Sequence, residues 1–115
     1  MLMHGMEVQT AGRYNIPILF VVINNAAFGS VWLRASKMGK LPEELVTLPD
    51  HDWAGFARSL GVAAATVTKP AELQGAFSQA LSVDRPFLID VKADRQYGTP
   101  VEPYEAAVTA WTYHE

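Results

Sequence analysis

The residues Ile18-Leu19-Phe20-Val21-Val22-Ile23 form an unbroken apolar run, bounded by Pro17 on one side and Asn24-Asn25 on the other. A run rich in β-branched residues and without alternation is the pattern of a strand covered on both faces, as in a parallel sheet between helices. Its six residues fall far short of the ~20 needed to cross a bilayer. They are also short for a signal-peptide core. A protein of the cytoplasm, without a membrane partner, is the expectation.

The rest of the chain is read around that strand. His4 to Tyr14 carries few β-branched residues and stops at Asn15 ahead of Pro17, which predicts a helix. Met1, Leu2, Met3 and Met6 put apolar residues where a chain start is usually polar, so the domain reads as entered midway. Gly29 to about Lys37, with Val31, Trp32 and Leu33, has weak helical spacing. Leu41 to Asp50, with two prolines, reads as irregular connection. Trp53, Phe56, Ala57 and Leu60 recur at i, i+3, i+4 and i+7; Asp50 or Asp52 would cap that helix and Gly61 would stop it. Val62 to Val67 suits a second strand. Leu73, Ala76, Phe77, Ala80 and Leu81 make a further helical stripe, with Pro70 in its first turn. Phe87, Leu88, Ile89 and Val91 form a third strand behind Pro86, and Tyr104, Ala107, Val108 and Trp111 predict a last helix. Strands separated by helices imply βαβ units and right-handed crossovers. The predicted class is α/β, a partial doubly wound and mainly parallel sheet with flanking helices.

Composition limits what such a sheet can do. A chain of 115 residues, 50% apolar and without cysteine, can bury one core and has no thiol or disulfide chemistry. One domain spanning residues 1–115 is expected. Nine basic residues are scattered among twelve acidic ones. No stretch gathers the positive charge that nucleic acid would need, so nucleic acid is not an expected partner.

In an open α/β sheet, ligands bind beyond the carboxyl ends of the strands, and Asn24-Asn25-Ala26-Ala27-Phe28-Gly29 stands there. Amide oxygens and free carbonyls are neutral hard ligands, suited to Mg²⁺ or Ca²⁺ when a bound cofactor supplies negative charge. Ala26, Ala27 and Gly29 let a ligand approach the backbone. The plainer reading is that two asparagines after a strand make a turn. His4, His51 and His114 are too dispersed in sequence for a metal cluster and read as surface or packing residues. Trp32, Trp53 and Trp111 read as core or interface area. Ser30 and Ser59 lack the glycine frame of a nucleophile elbow.

The run from Leu2 to Ala11, then Arg13-Tyr14-Asn15-Ile16-Pro17, then Phe20 to Asn25 with Phe28-Gly29 behind it, resembles the thiamine-diphosphate enzymes of the acetolactate synthase, benzoylformate decarboxylase and benzaldehyde lyase type. In that family a Gly-Asp-Gly triplet is followed further along by Asn-Asn, and the pair marks the diphosphate-binding domain. The likeness is specific over residues 2–29 and looser through Asp52 to Leu60, Pro86 to Val91 and Pro100 to Tyr104. It implies thiamine diphosphate and Mg²⁺ as cofactors. The metal would take the side-chain oxygen of Asn25 and the carbonyl of Ala27, with Asn24 more structural. Phe28 and Gly29 match positions against the diphosphate, and Val31 matches an apolar position near the thiazolium.

The family's Gly-Asp-Gly should end just ahead of Met1, and the triplet occurs nowhere in this sequence. Its acidic metal ligand is therefore missing here. So are the earlier strands and the N-terminal domains of the parent enzyme, one of which carries the glutamate that contacts the aminopyrimidine in this family. Glu7 is not that glutamate; it reads as structural or capping. Two functions follow as expectations. One is a fragment of an acetolactate-synthase-like enzyme acting on carbon–carbon bonds of 2-oxo acids or aldehydes, inactive alone. The other is a non-catalytic α/β module that covers an orphaned sheet edge by self-association, as a homo-oligomer.

Overall fold

In the computed structural model the described residues are 1, 3–38 and 42–95. The predicted helix at Tyr104 to Trp111, together with Leu2, His114 and the stretch Pro100 to Tyr104, lies outside them. The elements in chain order are α1 (Glu7–Tyr14), β1 (Leu19–Asn24), α2 (Gly29–Met38), α3 (Trp53–Ser59), β2 (Ala63–Val67), α4 (Leu73–Leu81) and β3 (Phe87–Lys92). Single 3-10 turns at Glu43–Leu45 and Pro70–Glu72 precede α3 and α4. The three strands form one parallel sheet in the order β1-β3-β2, with β3 central.

Both faces of this sheet carry helices, as a doubly wound fold requires. On one face Phe20, Val22, Ala64 and Leu88 meet Val8 of α1 and Ala57 and Phe56 of α3. On the other, Phe87, Ile89 and Val67 meet Ala76 and Ala80 of α4. Local sequence sets the ends. Asn15 takes the left-handed conformation (φ 50°) and closes α1 with its N–H on Gly12, while Ile16 returns to Ala11. Of the two candidate caps for α3 it is Asp52 that accepts the Gly55 N–H, at 2.7 Å. Gly61 (φ 79°) ends α3 with a pair of bonds, Gly61 N–H to Arg58 and Val62 N–H to Ala57. That is the Schellman pattern, for which glycine is the natural residue.

Three expectations are corrected. The apolar run at β1 is not covered on both faces: Val21 and Ile23 are 42% and 66% exposed, because β1 is an edge strand here and only one of its faces is packed throughout. The central place belongs to β3, where Phe87, Leu88, Ile89 and Asp90 are all buried. Leu81, assigned to the buried stripe of α4, is exposed at the helix end. The first helix starts at Glu7, and His4 to Met6 form turns.

Candidate functional site

The carboxyl ends of β1 and β3 lie side by side, with Asn24 in register with Lys92. Beyond β1 the chain turns sharply. The Asn24 Oδ1 accepts the Ala26 N–H and the Asn25 Oδ1 accepts the Ala27 N–H, both at 3.3 Å. Asparagine side chains hold such turns by mimicking backbone acceptors. Ala26 sits at φ 50°, a conformation that costs a residue with a Cβ about 1–2 kcal/mol. Surroundings hold it there. Leu48 N–H donates to the Ala26 carbonyl at 2.8 Å and Phe28 N–H to the Val46 carbonyl at 3.0 Å, flanking a bridge between Ala27 and Thr47.

This clamp leaves two oxygens available. The Asn25 Oδ1 keeps a lone pair beyond its bond to Ala27. The Ala27 carbonyl accepts no hydrogen bond among the described residues. Asn25, Ala27 and Phe28 border a cavity of about 350 Å³ that also takes in His4, His51 and Trp53. Gly29 and Val31 stand in the first turn of α2, exposed, and are not among the residues lining it. At that helix start the first amides have no intrahelical acceptor, as at any helix start. Among the described residues no group of three or more His, Asp or Glu could hold a metal. The donor pair at Asn25 and Ala27 fits a hard divalent cation whose charge is balanced by an anionic ligand, and does not fit a free-standing protein cage.

The resemblance assigned Asn25 and Ala27 to a metal and Phe28, Gly29 and Val31 to the cofactor, and the spacing of the histidines read as too dispersed for a metal cluster. The structure brings His4 and His51 to the same cavity wall, with the His51 ring 5.0 Å from that of Trp53. Glu7 opens α1 as an exposed first-turn carboxylate, away from this lining.

One cluster was missed altogether. Asp90, fully buried in β3, accepts the Trp53 N–H at 3.1 Å and pairs with Lys92 at 3.2 Å. Lys92 also pairs with Asp50 at 2.6 Å and donates to the His51 carbonyl at 2.8 Å. Burial of the ammonium works to lower the Lys92 pKa. The hydrogen bonds and charges of Asp50 and Asp90 outweigh it, and hold the pKa above the ordinary 10.5. The signal was present in the sequence as an aspartate inside an apolar strand with a lysine two residues on, both on one face.

The family model for the thiamine pyrophosphate enzyme C-terminal TPP binding domain matches residues 1–91. A Bacillus subtilis protein, YdaP, described as thiamine pyrophosphate-containing, is 35% identical over 85 residues, covering 74% of this chain and 15% of that protein. Benzoylformate decarboxylase of Pseudomonas aeruginosa is 32% identical over 82 residues, covering 71% and 16%. A Methanocaldococcus jannaschii protein assigned as an acetolactate synthase large subunit is 26% identical over 103 residues, covering 89% and 17%. The chain thus spans about a sixth of the length of these relatives. The thiamine diphosphate-dependent 4-hydroxybenzoylformate decarboxylase of Rhodococcus jostii superposes with a TM-score of 0.71 at 24% identity, over 78% of this chain and 17% of that one, a likeness of fold. With its family model matched over most of the chain and its strand-end turn in place, this chain belongs to the thiamine pyrophosphate enzymes, in their C-terminal TPP-binding domain.

Proposed function

We propose that this chain is the C-terminal part of the diphosphate-binding domain of a thiamine-diphosphate- and Mg²⁺-dependent enzyme of the acetolactate synthase type. The whole enzyme would make or break carbon–carbon bonds next to a carbonyl in 2-oxo acids or aldehydes. The observation that carries this reading is the Asn24 to Phe28 turn, whose Asn25 and Ala27 border a cavity at the carboxyl end of the sheet, with the Ala27 carbonyl accepting no hydrogen bond among the described residues. Asn25 and Ala27 would hold the Mg²⁺. Phe28, Gly29 and the first amides of α2 would lie against the diphosphate, since free helix-start N–H groups favour anions. Val31 would supply apolar surface towards the thiazolium. Thiamine diphosphate brings the carbanion-stabilising chemistry when bound, and the protein orients it.

The chain alone is proposed to be inactive and to bind weakly, because its two donors are neutral and the sequence holds no Gly-Asp-Gly. Melting the chain with and without thiamine diphosphate plus Mg²⁺ tests binding: a ligand at a hundred times its Kd adds about 2.7 kcal/mol. A small shift requiring both components is expected for this chain. A full shift is expected for a longer product that includes an upstream Gly-Asp-Gly, should the coding DNA encode one in frame. No shift with that longer product would refute the reading.

A second reading, self-association as a homo-oligomer, is favoured by β1. Its outer edge is unpaired among the described residues, and Val21 and Ile23 within it, with Ile16 and Ile18 just before it, are exposed. Light scattering across a concentration series should show a mass above the monomer; a monomer throughout would exclude it.

A further inference from the structure

We infer that Lys92, seated on the buried carboxylate of Asp90, is a positioning residue that sets the Asn24-Asn25 turn and through it the Asn25 and Ala27 oxygens. The inference rests on the metal-holding role proposed above and extends it to residues outside that turn. Lys92 and Asn24 are register partners at the ends of β3 and β1, and they donate to the same two acceptors. The Asp50 Oδ1 receives Lys92 Nζ at 2.6 Å and Asn24 Nδ2 at 3.3 Å. The His51 carbonyl receives them at 2.8 Å and 2.9 Å.

An ammonium has three N–H groups. Asp90, wholly buried, lies 3.2 Å from the same nitrogen, so three acceptors surround the head group, one for each N–H. The Asn24 amide is then fixed from both ends, because its Oδ1 accepts the Ala26 N–H while its Nδ2 is pinned to the 50–51 segment. Two further bonds carry that constraint along the turn, from Leu48 to Ala26 and from Phe28 to Val46. A lysine serving only to neutralise Asp90 would have no need to share both acceptors of Asn24. Groups that orient metal ligands from behind typically change metal affinity 10–100-fold when removed.

The test uses the 115-residue chain and three variants. Lys92→Gln removes the clamp, Asp50→Ala removes one shared acceptor at an exposed position, and Lys92→Arg is the conservative control. Amide exchange and the Asn24 side-chain NH₂ resonances are followed by NMR without ligand, and Mg²⁺ affinity is then titrated in the presence of thiamine diphosphate. Lys92→Gln and Asp50→Ala should shift the Asn24 NH₂ resonances and lower protection at Leu48 and Phe28 about tenfold, with the β2–β3 amides unchanged. Mg²⁺ affinity should fall tenfold or more, and Lys92→Arg should restore most of it. Equal loss of protection across the whole sheet in Asp50→Ala, or an unmoved turn in both variants, overturns the inference. Should the parent chain take up no Mg²⁺ with thiamine diphosphate, the binding role fails, and the ligand-free exchange pattern alone decides the positioning role.

Discussion

Ala26 and Lys92 show how the site depends on single side chains. Ala26 holds φ 50° because two backbone bonds, Leu48 N–H to the Ala26 carbonyl and Phe28 N–H to the Val46 carbonyl, fix the turn. Ala26→Gly removes the Cβ and its strain of about 1–2 kcal/mol against about 0.4–1 kcal/mol of added unfolded-state freedom, so it should leave stability unchanged or slightly raised in urea unfolding, while valine, whose branched Cβ tolerates that region poorly, should lower it. Lys92 has a pKa raised above 10.5, so its ion pairs contribute fully below that pH and are lost as pH rises through the raised value. The stability difference between the parent chain and Lys92→Gln should therefore be constant from pH 6 to about 10 and shrink above it. A difference that shrinks near neutrality would contradict this. Asn25 and Ala27 were legible as candidates because strand-end position and motif both fall on contiguous residues. Lys92, Asp90 and Asp50 were not, since their meeting depends on β3 lying beside β1, a pairing between residues far apart in the chain that no local pattern encodes.

Among the elements, helices were the more legible, because their signals are local. The Asp52 cap, the Gly61 stop and the apolar stripe of α3 all act within one stretch of chain, and the structure has them where the spacing put them. Gly61→Ala should destabilise by roughly 1–2 kcal/mol, the cost of a Cβ in the left-handed region. Strand order was beyond local reading. The apolar run of β1 signals cover on both faces, but the described residues supply it fully on one, and β3 occupies the centre instead. Leu88→Ala should accordingly cost about 2–5 kcal/mol as a buried cavity mutation, and Val21→Ala much less; equal losses would contradict the assignment of β3 as the core strand. The start of α4 holds a further local device. Glu72 accepts the N–H groups of Thr68 and Lys69 at 2.9 Å and 3.1 Å, which lowers its carboxyl pKa below 4.5. Its contribution is present above pH 4.5 and lost as pH falls through the lowered value. A Glu72→Gln variant should therefore melt below the parent chain at neutral pH and converge with it in acid.

Taken together, the described residues form a three-stranded parallel sheet with helices on both faces and the candidate site at its carboxyl ends. No helix among the described residues is long and apolar enough to cross a membrane. The α/β class was readable because alternating strands and helices admit few arrangements, and the family because its motif is contiguous. The cavity wall was not readable, for it joins His4, Asn25 and His51 from three separate segments. Mn²⁺ can stand in for Mg²⁺ as a hard divalent cation and its unpaired electrons broaden nearby nuclear resonances, so even weak binding leaves a mark. Titrating the chain with Mn²⁺ in the presence of thiamine diphosphate should broaden the signals of Asn25 and Ala27 first, with Phe28 and Gly29 next. Broadening confined to surface carboxylates such as Glu43 and Asp84, with the Asn25 and Ala27 signals untouched, would contradict a metal at the end of β1.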